Sequence, residues 1–137
     1  RFNLTGVWIG MTQASEMVSF MIEKSLYVAG GLTVAAGSTV IDRCENVNGT
    51  LNGRLILPEK KYFLYAPTCN FGISHRVAEE FRFDKTYRKA AGEDVDYCLR
   101  IGKKYPVEVC QKAIVYHDFS YRNSIVGISK LINTFSM

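Results

Sequence analysis

The pattern of apolar and polar positions predicts a mixed α/β chain. Residues 1–10 alternate weakly and are typical of a strand or loop. A helix is predicted from Thr12 to Lys24, because Met17 and Phe20 recur at helical spacing and Thr12 can cap the first turn. Residues 26–66 are predicted to be β-rich. Turn residues divide that region into four predicted strands, Leu26–Ala36, Thr39–Cys44, Arg54–Leu57 and Lys61–Ala66, of which the last two form a hairpin.

Helical and strand patterns then alternate in the second half of the chain. A short helix is predicted over Arg76–Phe81, followed by a basic loop over 85–91 and a helix that begins after Gly92. The predicted buried face of that helix consists of Val95, Cys98, Leu99, Gly102 and Tyr105. Two short β-like runs follow, Val107–Cys110 and Ala113–Tyr116.

The tail of the chain has apolar residues on one helical face between Ser124 and Phe135. Packing on the same domain is the simpler interpretation of this face. An interfacial helix at a membrane surface or a partner is the alternative.

Three carboxylates mark the start of the helix that follows Gly92. Glu93, Asp94 and Asp96 fall in its first turn, where free backbone N–H groups and the helix dipole favour ionised acids. Basic residues in the preceding loop, such as Lys85, should stabilise the ionised forms further. The cluster can be a simple helix cap, or an ionised carboxylate here can accept a proton from an alcohol.

Composition limits the alternatives. The 137 residues suit one domain, and a 47% hydrophobic content is enough for a core. The net charge of +4 has no dense basic block, so a nucleic-acid partner is not expected. The spacing of the four cysteines does not suit structural zinc, and Cys98 and Cys110 are expected in the core.

The order of motifs in the second half points to a family. A small-residue stretch contains Asn70 and ends at Arg76, Phe83-Asp84 follows, and then come Gly-Glu-Asp-x-Asp from Gly92 and a strand that ends in His117. This order resembles the C-terminal half of a family 2 glycosyltransferase of the GT-A fold. The resemblance covers residues 60–118, and residues 1–59 match only loosely.

The resemblance implies an α/β fold, α+β within this piece, in which a mixed sheet with flanking helices forms the C-terminal portion of a Rossmann-like domain. Residues 1–137 would be one partial domain, the acceptor-side half, without the nucleotide-binding half and its Asp-x-Asp motif.

The resemblance also implies roles for six residues. Asp94 would be the general base, and Glu93 would bind acceptor hydroxyls or orient Asp94. Asn70, Arg76 and Gly92 would line the acceptor side. His117 would bind a divalent metal, Mn²⁺ or Mg²⁺, or touch the diphosphate.

An enzyme of this kind would transfer a sugar, with inversion, from a nucleotide-sugar donor to a saccharide or lipid-linked acceptor. It would be cytoplasmic, with residues 124–135 against the inner face of the membrane. The alternative is a catalytically silent saccharide-binding or scaffold module that retains half of the GT-A fold.

Overall fold

The computed structural model describes residues 2–4, 7–9, 12–49, 51–52, 65–87 and 92–120 of the chain. In chain order, the elements are β1 (Phe2–Leu4), β2 (Val7–Ile9), α1 (Gln13–Glu23), β3 (Val28–Ala35), α2 (Val40–Asn48), a 3₁₀ turn (Thr68–Asn70), β4 (Phe71–Ile73), α3 (His75–Glu80), α4 (Glu93–Gly102) and β5 (Val107–His117).

The described strands form one mixed sheet in the order β1-β2-β5-β3-β4. At its centre β3 and β5 run parallel, from the pair Val28 and Val107 to the pair Ala35 and His117. β4 joins β3, and β2 joins β5, both antiparallel. The predicted fold class is therefore confirmed: the chain is mixed α/β with helices flanking a mixed sheet, an arrangement consistent with part of a Rossmann-like domain.

Helices cover both faces of the sheet, because neighbouring strand residues point to opposite sides. Val28 and Val107 pack with α4 in one core cluster. Ala29 and Cys110 pack with Met17 of α1 in another. Burial of these apolar side chains is the main force that holds the helices on the sheet.

The helix that begins after Gly92 forms as predicted. Cys98 and Tyr105 of the predicted buried face are buried, but the prediction was wrong for Val95, Leu99 and Gly102. Tyr97, Cys98 and Ile101 are the buried residues of α4. Val95 and Leu99 are 37% and 43% exposed. Compared with the predicted orientation, the helix is rotated so that Tyr97 faces the core. The aromatic ring of Tyr97 buries more apolar surface there than the side chain of Val95 would.

The segment predicted as the strand Thr39–Cys44 is the start of helix α2, so that prediction was wrong. The Thr39 hydroxyl accepts from the Asp42 backbone N–H at 3.2 Å, and the Asp42 carboxylate accepts from the Thr39 backbone N–H at 2.8 Å. This capping box satisfies free amides at the helix start and outweighs the strand preference of Val40 and Ile41.

The two β-like runs in the second half belong to the single strand β5. Its register with β3 shifts where Gly31-Leu32 faces Cys110 and Ile114, so that β5 carries extra residues at this point. The predicted strand at 26–36, the helix at 12–24 and the short helix near 76–81 are confirmed within two residues at each end.

Several predictions fall on residues that the structure does not describe. They are the hairpin strands at 54–57 and 61–64, the loop at 88–91 and the tail helix at 124–135. Among the helices that are described, none has the length and apolar composition needed to cross a membrane.

Candidate functional site

The acidic cluster lies where the chain enters α4. Gly92 has a φ of 87°, the left-handed region that glycine adopts without strain, and its carbonyl accepts from the Asp96 backbone N–H at 2.9 Å. Glu93 and Asp94 follow as the first two helical residues, and both side chains are half-buried. Gly92 therefore lets the chain enter α4 sharply, with Glu93 and Asp94 partly withdrawn from solvent.

Asp94 faces the segment that precedes β4. The backbone amide of Thr68 helps to stabilise the charged form of the Asp94 carboxylate, and the charge of Asp94 raises the pKa of the Cys69 thiol. Cys69 in turn contacts β3, because its Sγ lies 3.8 Å from the Thr33 Oγ1. Asp94 is thus close to the part of β3 that contains Thr33.

His117 belongs to the same end of the sheet. It is paired with Ala35, which is two residues beyond Thr33 on β3. A step of two strand residues is about 7 Å. Asp94, through Cys69 and Thr33, and His117, through Ala35, are therefore both linked to the carboxyl-terminal half of β3.

Burial raises the pKa of Asp94, and the charge of Glu93 raises it further. The opposing influences are backbone amides, among them that of Val95, which donates to Asp94 Oδ1 at 2.9 Å. The predicted effect of the basic loop on this acid stays a prediction, because Arg88 and Lys89 of that loop lie outside the described residues. Desolvation and the second carboxylate raise the pKa of Asp94 by more than the backbone amides at the helix start lower it.

Three weakly acidic side chains, those of Tyr65, Cys69 and Cys98, lie near Asp94. Burial is the main cause of a raised pKa at Tyr65, Cys69 and Cys98, and the charge of Asp94 adds to each. The pKa of Cys98 rises to about 11. At neutral pH these three groups keep their protons. Of Asp94 and these three groups, Asp94 is the one whose pKa moves toward neutral pH.

Glu93 has one carboxylate oxygen without a hydrogen-bond partner. Its Oε2 is buried, and no described residue bonds to it. A buried oxygen in this state costs free energy unless a donor reaches it. A hydroxyl-bearing ligand could supply that donor.

Asp96 has a structural role. Its Oδ2 accepts from Arg100 Nε at 2.9 Å and Nη2 at 2.8 Å, and Arg100 also donates to the Arg82 carbonyl at 2.9 Å. Asp96 and Arg100 are four residues apart and therefore pair across one helical turn.

The His117 ring stacks on Phe119, with ring centroids 4.4 Å apart. The next residue, Asp118, uses its carboxylate to accept from the Ser120 backbone N–H at 2.8 Å. Within the described ranges, no three His, Cys, Asp or Glu side chains are grouped so that they could hold a metal ion. The described residues therefore do not make up the metal site that the resemblance implies.

Asn70 is 1% exposed, and protein groups bind its amide. Its Nδ2 donates to the Leu32 and Ala113 carbonyls at 2.8 and 2.9 Å, and its Oδ1 accepts from Gln13 Nε2 at 2.7 Å. The amide bridges the register shift between β3 and β5. These contacts give Asn70 a structural role and lend no support to the expected contact with an acceptor.

Arg76 lies at the other end of β3 from Asp94. Its guanidinium is 5.5 Å from the ring of Tyr27, which comes just before β3. The neighbouring His75 is on the surface, with its side chain 86% exposed. The fold therefore does not bring Arg76 to the acids, because β4 runs back along β3 before α3 begins.

Sequence analysis missed Tyr65, Thr68 and Cys69 as neighbours of Asp94. Their positions just before the 3₁₀ turn give no periodic signal. Only the contact of this segment with α4 reveals them.

Comparison of the chain with protein-family models, with curated proteins and with solved structures found no match.

Proposed function

We propose that this chain is the acceptor-side part of an inverting glycosyltransferase with Asp94 as general base. The acceptor hydroxyl oxygen would form a bond to the anomeric carbon of a nucleotide-sugar, while the bond from that carbon to the diphosphate breaks. Asp94 would take the hydroxyl proton, and the nucleoside diphosphate would leave with the bonding electrons.

The observation that carries the proposal is the environment of Asp94. A base works best when its pKa approaches the operating pH, and burial together with Glu93 moves the pKa of Asp94 in that direction. The link from Asp94 through Cys69 to Thr33, in the carboxyl-terminal half of β3, also favours a site, because open α/β sheets bind ligands beyond the carboxyl ends of their strands.

Glu93 would bind the acceptor. Its buried, unbonded Oε2 is one helical residue from the proposed base and can accept from a sugar hydroxyl. The acceptor would be a saccharide or a lipid-linked sugar, and Gly92 would let it approach the backbone at the helix start. The reaction would take place on the cytoplasmic side of a membrane.

A divalent metal would offset charge on the leaving diphosphate. His117 is the candidate protein ligand for it. The described residues do not complete a metal site around His117.

The proposal is tested by incubating the intact protein with a panel of nucleotide-sugars and saccharide acceptors and measuring the released nucleoside diphosphate. We expect release that depends on the acceptor. Saccharide binding without release from any donor would instead identify the silent binding module.

A further inference from the structure

The thiol of Cys98 forms a reciprocal pair with the backbone of Ala66. The Ala66 N–H donates to Cys98 Sγ at 3.3 Å, and the Sγ lies 3.4 Å from the Ala66 carbonyl oxygen, to which it donates. Cys98 is 1% exposed and Ala66 is fully buried. The pair joins the middle of α4 to the segment that leads into the 3₁₀ turn.

A second contact joins the same two pieces of chain. Thr68 is two residues after Ala66, and Asp94 is four residues before Cys98. Residues four apart lie on one helix face, so Asp94 and Cys98 both face this segment. The Thr68 amide stabilises the charged Asp94 carboxylate in this second contact.

We propose that Cys98 is a positioning residue for Asp94: its thiol holds the backbone of 66–68 against α4, so that the Thr68 amide faces the Asp94 carboxylate. The consequence for catalysis rests on the proposed function, but the contact itself does not.

The chemistry of the site fits this role. Burial raises the pKa of the Cys98 thiol to about 11, so the thiol keeps the proton that it donates to Ala66. Among the described residues, the other titratable groups that act on this neighbourhood are Glu93 on α4 and Tyr65 and Cys69 on the facing segment. None of them is a cation that could replace the amide.

Cys110 provides a matched comparison. It is also a buried free thiol, 2% exposed, but it packs against α1 and donates to the Glu16 carbonyl at 3.6 Å. If a buried thiol only filled space, replacing Cys98 and replacing Cys110 would affect Asp94 alike.

The test follows the Thr68 backbone amide by NMR as the pH is varied. In the parent protein the amide shift should change in step with ionisation of Asp94, and Asp94→Asn should remove that step. Cys98→Val keeps an apolar side chain but loses both hydrogen bonds, so the step should disappear. Cys98→Ser keeps a donor and an acceptor and should retain it, as should Cys110→Val.

Three results would overturn the inference. The first is a Thr68 amide shift in the parent protein that does not change as Asp94 ionises. The others are a Cys98→Val variant that keeps the full pH-dependent change, or a Cys110→Val variant that loses it to the same extent as Cys98→Val. If Cys98→Val does not fold, Cys98→Ala removes the same two bonds without adding bulk and is judged in the same way. The readout needs no donor and no turnover, so an absence of transferase activity leaves it intact.

Discussion

Asp94 lies beside Glu93 at the start of α4, and the charge of Glu93 adds to burial in raising the pKa of the Asp94 carboxyl. The fold therefore holds an acid where its charged form is disfavoured. A protein keeps such an arrangement at a cost in stability.

Asp94→Asn should stabilise the folded protein at neutral pH. An acid whose pKa is raised on folding lowers the free energy of unfolding as the pH rises through that pKa. The gain from Asp94→Asn should therefore be largest near neutral pH and should vanish as the pH approaches the ordinary aspartate pKa of about 3.9. Thermal unfolding between pH 4 and pH 8 measures it.

Asp96→Asn is the matched control for that experiment. It breaks the pair with Arg100, so it should lower stability slightly, by about 0.3–0.5 kcal/mol for a partly exposed pair across one helical turn. Destabilisation by Asp94→Asn at neutral pH would contradict the described environment of Asp94.

Asn70→Leu should lower the free energy of unfolding by about 3 kcal/mol, because it leaves the Leu32 and Ala113 carbonyls without their donor at a site of similar volume. Urea unfolding measures the loss. Gln13→Leu removes only the third bond, at a half-buried position, and should cost less than about 1.5 kcal/mol. Equal losses in the two variants would argue against the bridge across β3 and β5.

Gly31→Ala should destabilise the protein by about 1–3 kcal/mol or more through overpacking. A Cβ at Gly31 would lie 2.3 Å from the Ala113 carbonyl oxygen and 2.4 Å from Asn70 Nδ2, and the first of these is backbone. The control is Gly102→Ala, where no atom lies within 4 Å of the added Cβ. That change should be neutral or stabilising by up to about 1 kcal/mol, since alanine favours helix. Denaturant midpoints of the two variants should therefore move in opposite directions or differ sharply.

Thr39→Ala should destabilise α2 by about 1 kcal/mol, because it removes the hydroxyl that caps the Asp42 amide. Thr39→Ser keeps the hydroxyl and should stay close to the parent. Amide hydrogen exchange in the first turn of α2 reports the local effect. Equal exchange in the alanine and serine variants would mean that the capping box contributes nothing there.

Sequence patterns predicted the fold well where apolar residues form a long run or recur at helical spacing. The strand at 26–36 is such a run, the helix at 12–24 has such spacing, and both are confirmed. The strand predicted over Thr39–Cys44 failed because β-branched residues at its start obscured a capping box with aspartate in its third helical position.

The candidate site was predictable only in part. The entry at Gly92 and the pair of Asp96 with Arg100 follow from local spacing, and both are present. Asn70 proved to be a buried bridge, a role that depends on a register shift between two distant strands. Contacts that join distant parts of the chain in this way leave no local periodic signal.

The most direct test of the central claim compares Asp94→Asn with Asp96→Asn in a transfer assay on the intact protein. If Asp94 is the base, its replacement should lower kcat by about 100-fold or more and leave acceptor binding nearly unchanged. Asp96→Asn should turn over at close to the parent rate, because its carboxylate is bound to Arg100. Parent-like turnover in Asp94→Asn would contradict the assignment of Asp94 as general base.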